Sequence, residues 1–350
     1  MFGEKSKMVG LRGANGQPAA PPYTNGPYTW DQHCTFSSLS VGNGGEGDVW
    51  FVDGTNGLTT NNGTGWSDAL TTIQAAVDKA GPGDTIYITA KDITDFTGDP
   101  ISYEENIIIP AATSSLSLIG VSRGRTQGGL PQLKDGAGTT AAILTIRAPG
   151  CLIMNLGFNG AGNTGGGVLL DDDYAAKSAF GTSIVGCHFK NCKGHATNGK
   201  LGGAIMWSAE GNAWQVLISG NRFYKNVCDI NLLGTSSTVP QDVIIENNDF
   251  SAGSNSDAVI WCGGSGFGDG FVFKNNTLGL IPSLASGTIG VYFEGTTGSN
   301  LNATGVMVNN TFGSAGTTTG YGNDKATAKI GTGILLSNNY SSAGLIVREA

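Results

Sequence analysis

Charge is scarce in this chain: 13% of its 350 residues are Asp, Glu, Lys or Arg, and histidine occurs three times. A nucleic-acid surface needs clustered Lys and Arg, and a net charge of −8 argues against that partner. No stretch approaches the ~20 apolar residues of a membrane span. The residues after Met1, FGEKSKMVGLRGANG, show neither the apolar stretch nor the small-residue cleavage site of a secretory leader. The expectation is a cytoplasmic origin with no membrane and no nucleic acid as partner. The six cysteines, Cys34, Cys151, Cys187, Cys192, Cys228 and Cys262, form no C-x-x-C pair. They are read as small core residues, and neither a metal nor a cofactor is expected.

Glycine, by contrast, is abundant, with 57 residues, and it alternates with bursts of Val, Ile, Leu and Phe. That mixture suits many short extended segments joined by tight turns, with enough apolar side chain to build a core. The bursts recur. LIMNLGF (152–158), SIVGCHF (183–189), LISGNRF (217–223), IIENNDF (244–250), VFKNNTL (272–278), VMVNNTF (306–312) and ILLSNNY (334–340) follow one another at intervals of 27 to 34 residues. A unit of that kind cannot bury its apolar face alone, so successive units must stack, each strand pairing in parallel with its counterpart one coil on. An antiparallel sandwich would repeat every 8 to 12 residues. The fold class expected is all-β, a right-handed parallel β-helix.

Stacked coils explain the residues at the bend. Asparagine tolerates the left-handed conformation, and its amide can hydrogen-bond to the coils above and below. Two residues beyond the second bend residue, the chain points inward again. Phe158, Phe189, Phe223, Phe250, Leu278 and Phe312 are therefore expected to form an internal stack. The position between carries His188, Arg222 and Asp249, which become an outward column on three successive coils. Such a column suits a subunit contact or a glycan.

Upstream, residues 49–90 read as strand, glycine-rich loop, helix, turn and strand. The spacing of Leu70, Ile73, Ala76, Val77 and Ala80 predicts a helix from an N-cap at Ser67 to about Ala80, laid across the open end of the coil. The run Asp53-Gly54, Gly65-Trp66-Ser67-Asp68-Ala69, Thr72-Ile73-Gln74-Ala75-Ala76-Val77, Pro82-Gly83-Asp84-Thr85-Ile86-Tyr87-Ile88 and Leu116-Ser117-Leu118-Ile119-Gly120 resembles the opening of pectin-lyase-like right-handed parallel β-helix proteins. The resemblance spans about residues 49–346. It implies the fold, within a superfamily that includes polysaccharide lyases, glycoside hydrolases, phage tailspikes and inert virion proteins. The NTD, GHG and RIK motifs of its polygalacturonases do not occur here. The best acidic cluster is Asp171-Asp172-Asp173, with His195 about one coil later. Asp171, Asp173 and His195 are the candidates for catalysis, with a solvated loop as the plainer reading.

Residues 1–48 differ in composition. Pro18, Pro21, Pro22 and Pro27 deny this stretch helix and inner strand. Lys5, Lys7 and Arg12 against Glu4 give residues 1–30 a charge of +2, which leaves −10 for the rest. The expectation is an extended arm, residues 1–48, that anchors through Arg12, Tyr23, Tyr28 and Trp30, ahead of a β-helix domain, residues 49–350. These features lead to a non-enzymatic bacteriophage virion surface protein. It would be a capsid decoration or cement protein on the phage major capsid protein or another virion protein. The homotrimer expected for it is carried over from the phage members that the chain resembles. The alternatives are a tailspike-type or free polysaccharide-degrading enzyme, lyase or hydrolase, and a glycan-binding adhesin.

Overall fold

The computed structural model describes residues 47–91, 101–121, 129–136, 141–160, 166–171, 179–193, 202–208, 213–234, 240–251, 258–264, 269–279, 289–293, 304–312, 333–341 and 344–346. The chain divides into two units, Met1–Asn43 and Gly44–Ala350. All of the first unit lies outside the described residues, as do the anchoring positions Arg12, Tyr23, Tyr28 and Trp30.

The second unit is a parallel β-solenoid with three sheets. The first has ten strands: Val49–Val52, Thr85–Thr89, Ser117–Val121, Leu152–Met154, Ser183–Val185, Leu217–Ser219, Ile244–Glu246, Phe271–Lys274, Gly305–Val308 and Ile334–Ser337. The second has seven: Ile107–Ile109, Leu144–Ile146, Val168–Leu170, Ile205–Trp207, Ile230–Gly234, Ala258–Gly264 and Ile289–Phe293. The third runs from Ser102–Glu104 through Gln132–Lys134, Gly157–Asn159, His188–Lys190, Arg222–Tyr224, Asp249–Ser251, Thr277–Leu278 and Thr311–Phe312 to Asn339–Ser341. Every one of these pairings is parallel, and only the closing strand Gly344–Ile346 runs antiparallel, against Asn339–Ser341.

The bend between the first and third sheets takes two residues, and they divide the work. Asn155, Gly186, Gly220, Asn247, Asn275, Asn309 and Asn338 come first, with φ between 51° and 66°. Glycine and asparagine are the residues that accept this left-handed geometry most readily. The second residue turns inward. Asn221, Asn248, Asn276, Asn310 and Asn339 are all buried. Their amides form a ladder: Asn248 Oδ1 accepts from Asn221 N at 2.9 Å and Asn221 Nδ2 at 3.1 Å. Asn248 Nδ2 in turn donates to Ile218 O and to Asn276 Oδ1, both at 3.0 Å. Both donors and both acceptor sites of the amide are used, so its burial leaves nothing unpaired.

Inside, Phe158, Phe189, Phe223 and Phe250 stack with centroids 4.8, 5.1 and 4.7 Å apart and interplanar angles of 12° or less. The parallel register sets this face-to-face order, and Leu278 and Phe312 continue the buried column. The five described cysteines are also buried.

The helix at the open end is shorter than the apolar spacing predicts. A single 3-10 turn spans Trp66–Asp68, and the α-helix runs only from Ile73 to Lys79. Leu70 is the reason: its N–H donates to Phe51 O and its carbonyl accepts from Asp53 N, both at 2.9 Å, which holds it as an extended bridge to Val52. Thr72 therefore caps the helix in place of Ser67. The helix buries Ile73, Ala76 and Val77, and the Gln74 side chain satisfies the edge of the second sheet. Gln74 Oε1 accepts from Ile108 N at 2.8 Å and Nε2 donates to Ile108 O at 3.3 Å, which blocks strand addition there.

Asn248→Ala, which strips two buried donors of Asn221, is expected to lower stability by ~2–4 kcal/mol. Asn247→Gly, at a residue with φ of 57°, is expected to change it by less than ~1 kcal/mol. Urea unfolding followed by circular dichroism separates the two; equal losses would deny the ladder its weight.

Candidate functional site

The three sheets present different outer faces. On the third sheet the register places His188 beside Arg222 and Arg222 beside Asp249, the column expected from the repeat. Arg222 Nε stands 3.8 Å from Asp249 Oδ2 with both side chains nearly half exposed. That is an ion pair too long for a hydrogen bond. His188 is 4% exposed, and burial, then the charges of Arg222 and Lys190, push its pKa down to about 4. It stands next to Arg222 as a neutral ring.

A second outward row runs parallel to this column, two residues further along each strand. It contains Glu104, Lys134, Asn159, Lys190, Tyr224 and Ser251. Lys134 and Glu104 pair at 2.9 Å. At the bend that follows, Lys193 and Lys225 are exposed, and Lys225 Nζ lies 5.1 Å over the Tyr224 ring. Sequence reasoning singled out none of these, although the position two places after each column residue would have revealed them.

Asp171 lies at the end of a second-sheet strand, where Arg147 Nε donates to its Oδ2 at 3.1 Å. Asp173 and His195, its expected companions, lie outside the described residues. What is described of the acidic cluster is thus one carboxylate tied to a cation from the preceding coil. Of the tryptophans further along the coil, Trp207 is in the core with Nε1 bonded to Ala213 O at 2.9 Å, Trp261 is buried, and Trp214 is 40% exposed.

One further titratable group is enclosed. Asp229 is 3% exposed, accepts from Asn226 Nδ2 at 2.9 Å, and is pushed by burial up to about 7. Asn226 Oδ1 meanwhile accepts from Cys192 N at 2.9 Å, so this bend is a short second copy of the asparagine device. Among the described residues it involves only two coils, too few to mark the sequence with a period. Among the described residues, no group of three or more His, Cys, Asp or Glu could hold a metal ion.

No family model matches the chain, and no curated protein does. Solved structures similar to it include a rhamnogalacturonan lyase, 14% identical with a TM-score of 0.45, covering 84% of this chain and 74% of that one. A pectate lyase is 10% identical with a TM-score of 0.43, covering 84% and 77%. A pectin methylesterase from Aspergillus niger is 12% identical with a TM-score of 0.39, covering 90% and 91%. At these identities the likeness is one of fold. The expectation of a non-enzymatic protein is corrected by these neighbours, which are enzymes by name; none of the three is named as a virion protein.

His188 and Asp229 make opposite demands on pH. An unfolded histidine binds its proton below about 6.5 and the folded one only below about 4, so this group makes stability rise with pH across that window. Asp229 holds its proton up to about 7 when folded but only to about 3.8 when unfolded, so its contribution falls as pH rises between those values. Asp229→Asn, which keeps the acceptor for Asn226, should therefore raise the melting temperature at pH 8 and leave it unchanged at pH 3.5. Thermal melts across that range would show it, and a uniform shift would refute the assignment.

Proposed function

We propose that this chain binds and cleaves an acidic polysaccharide laid along the outer face of the third sheet. The observation that carries this reading is the concentration of Lys134, Lys190, Lys193, Arg222 and Lys225 on one side of a chain whose net charge is −8. Tyr224 offers a ring beside them, and Thr277 and Thr311 extend the Arg222 column with hydroxyls. Three coil steps separate the strands of Lys134 and Arg222, or ~14 Å, and six separate those of Lys134 and Thr311, or ~29 Å, at the usual strand spacing. A ligand that uses this length is an extended chain.

Arg222 is the principal contact. Its Nε is enclosed, but the side chain as a whole is 44% exposed, and the outer nitrogens of the guanidinium fork match a sugar carboxylate in two-point fashion. Neutral His188 beside it adds no competing charge. Neutralising a uronate carboxylate also acidifies the C–H next to it, so the reaction this contact favours is elimination: the proton passes from that carbon to solvent, a C=C bond forms, and the glycosidic oxygen departs and takes up a proton from solvent.

Affinity electrophoresis through polygalacturonate, alginate and neutral dextran tests binding, and the ultraviolet absorbance of unsaturated sugar ends tests turnover. The chain should be retarded by the acidic gels only. Arg222→Gln together with Lys190→Gln should weaken retention at least ~10-fold, since each charged hydrogen bond contributes ~1.5–3 kcal/mol. Equal mobility in all three gels sinks the proposal. Retardation without product removes its cleavage step and leaves a glycan-binding protein.

A further inference from the structure

The first sheet has an outer face of another kind. In one outward row Phe51, Tyr87, Ile119, Met154 and Val185 stand on successive strands, and Trp66 packs edge-on against Phe51 with centroids 4.8 Å apart. The neighbouring row becomes aliphatic where the first turns polar, with Leu217, Ile244, Val272, Val306 and Leu335 in register. An apolar band therefore crosses all ten strands, while the opposite faces of the same strands already fill the core. Leu335 is 61% exposed, Trp66 45% and Val49 40%, and the other residues of the band are partly exposed.

We infer that this face is where a second copy of the same chain docks. Three features select that occupant. The outward positions of these rows carry one acid and one base, Glu246 and Lys274, and they neutralise each other at 2.8 Å. On a molecule of charge −8 this is a side where two copies approach without repulsion, whereas a strongly charged partner finds nothing to pair with. Ten strands at ~4.8 Å spacing, three to five residues long and about four on average, make a wall of ~43 by ~13 Å, roughly 560 Å² before side-chain relief is counted. Side-chain relief brings that toward the ~800 Å² per partner of a stable interface. An apolar face whose two charges cancel can also serve both members of a symmetric pair, since each copy presents the same patch to the other. The inference is independent of the proposed glycan face, which lies on another sheet.

Sedimentation of the full chain tests it. The wild type should sediment as an oligomer whose mass falls on dilution. The double variant Ile244→Glu and Val272→Glu, at partly exposed outward positions, should sediment as a monomer with an unchanged circular dichroism spectrum. Leu217→Lys with Val306→Lys, placed on the flanking strands, gives a second variant should the first fail to fold. A monomeric wild type overturns the inference, and so does an oligomer that both variants leave intact. Association that appears only after removal of residues 1–46 also overturns it, because those residues would then be the occupant.

Discussion

The buried amide at the second bend position is the constraint on which the rest of the structure depends. An asparagine side chain offers two donors and two acceptor sites, and it can be buried without penalty only if all four are met. In this chain they are met by the coil before and the coil after: Asn276 Oδ1 accepts from Asn248 N, Asn276 Nδ2 donates to Ile245 O at 2.9 Å, and it also reaches Asn310 Oδ1 at 3.2 Å. A shift of one residue in any coil would break these bonds on both sides and turn the following phenylalanine outward. Register is thus specified by polar atoms in the middle of an apolar stack. Toward the first coils the ladder gives way to Cys187, whose N–H still donates to Asn221 Oδ1 at 2.8 Å, and then to Leu156.

Once register is fixed, each outward position becomes a column, and the three faces acquire separate chemistries. Between the first and third sheets the bend is two residues long, so these faces meet at a sharp edge lined by Asn247, Asn275 and Asn309. Longer connections leave and return at both edges of the second sheet, such as 191–204 from the third sheet and 171–182 to the first. Charge sits on the third sheet and aliphatic surface on the first, although both belong to the same coils. A helical or globular domain distributes such residues over a closed surface; a solenoid extrudes them into straight stripes.

This geometry explains what sequence could reveal. The bend, the internal aromatic column and the shared register of His188, Arg222 and Asp249 were legible because a tight turn and a two-residue alternation leave a mark in every repeat; the burial of His188, which the alternation assigned to the outside, was not. The apolar outer band was not legible. In VIIE, residues 243–246, the outward Ile244 and the inward Ile245 are the same residue type, and periodicity cannot tell which side is core. The helix start was misplaced because the side-chain pattern of Leu70 suits a helix while its backbone is claimed by Phe51 and Asp53. The Arg147–Asp171 pair was missed because its partners are 24 residues apart, fewer than any interval between the repeats themselves. Pairings across coils follow the local loop length, and that length varies.

Stripes also determine how binding energy accumulates. On the third sheet, neighbouring coils present Lys190 and Tyr224, or Arg222 and Asp249, at the spacing of the strands, so a polymer of the kind proposed above would meet several modest contacts in sequence. Each exposed charge contributes little by itself. Their sum depends on the straightness of the column, which depends in turn on the amide ladder beneath it. Damage to a single outward cation removes one contact and leaves the others aligned, whereas loss of one buried amide releases the register of two coils and misaligns every column that passes through them.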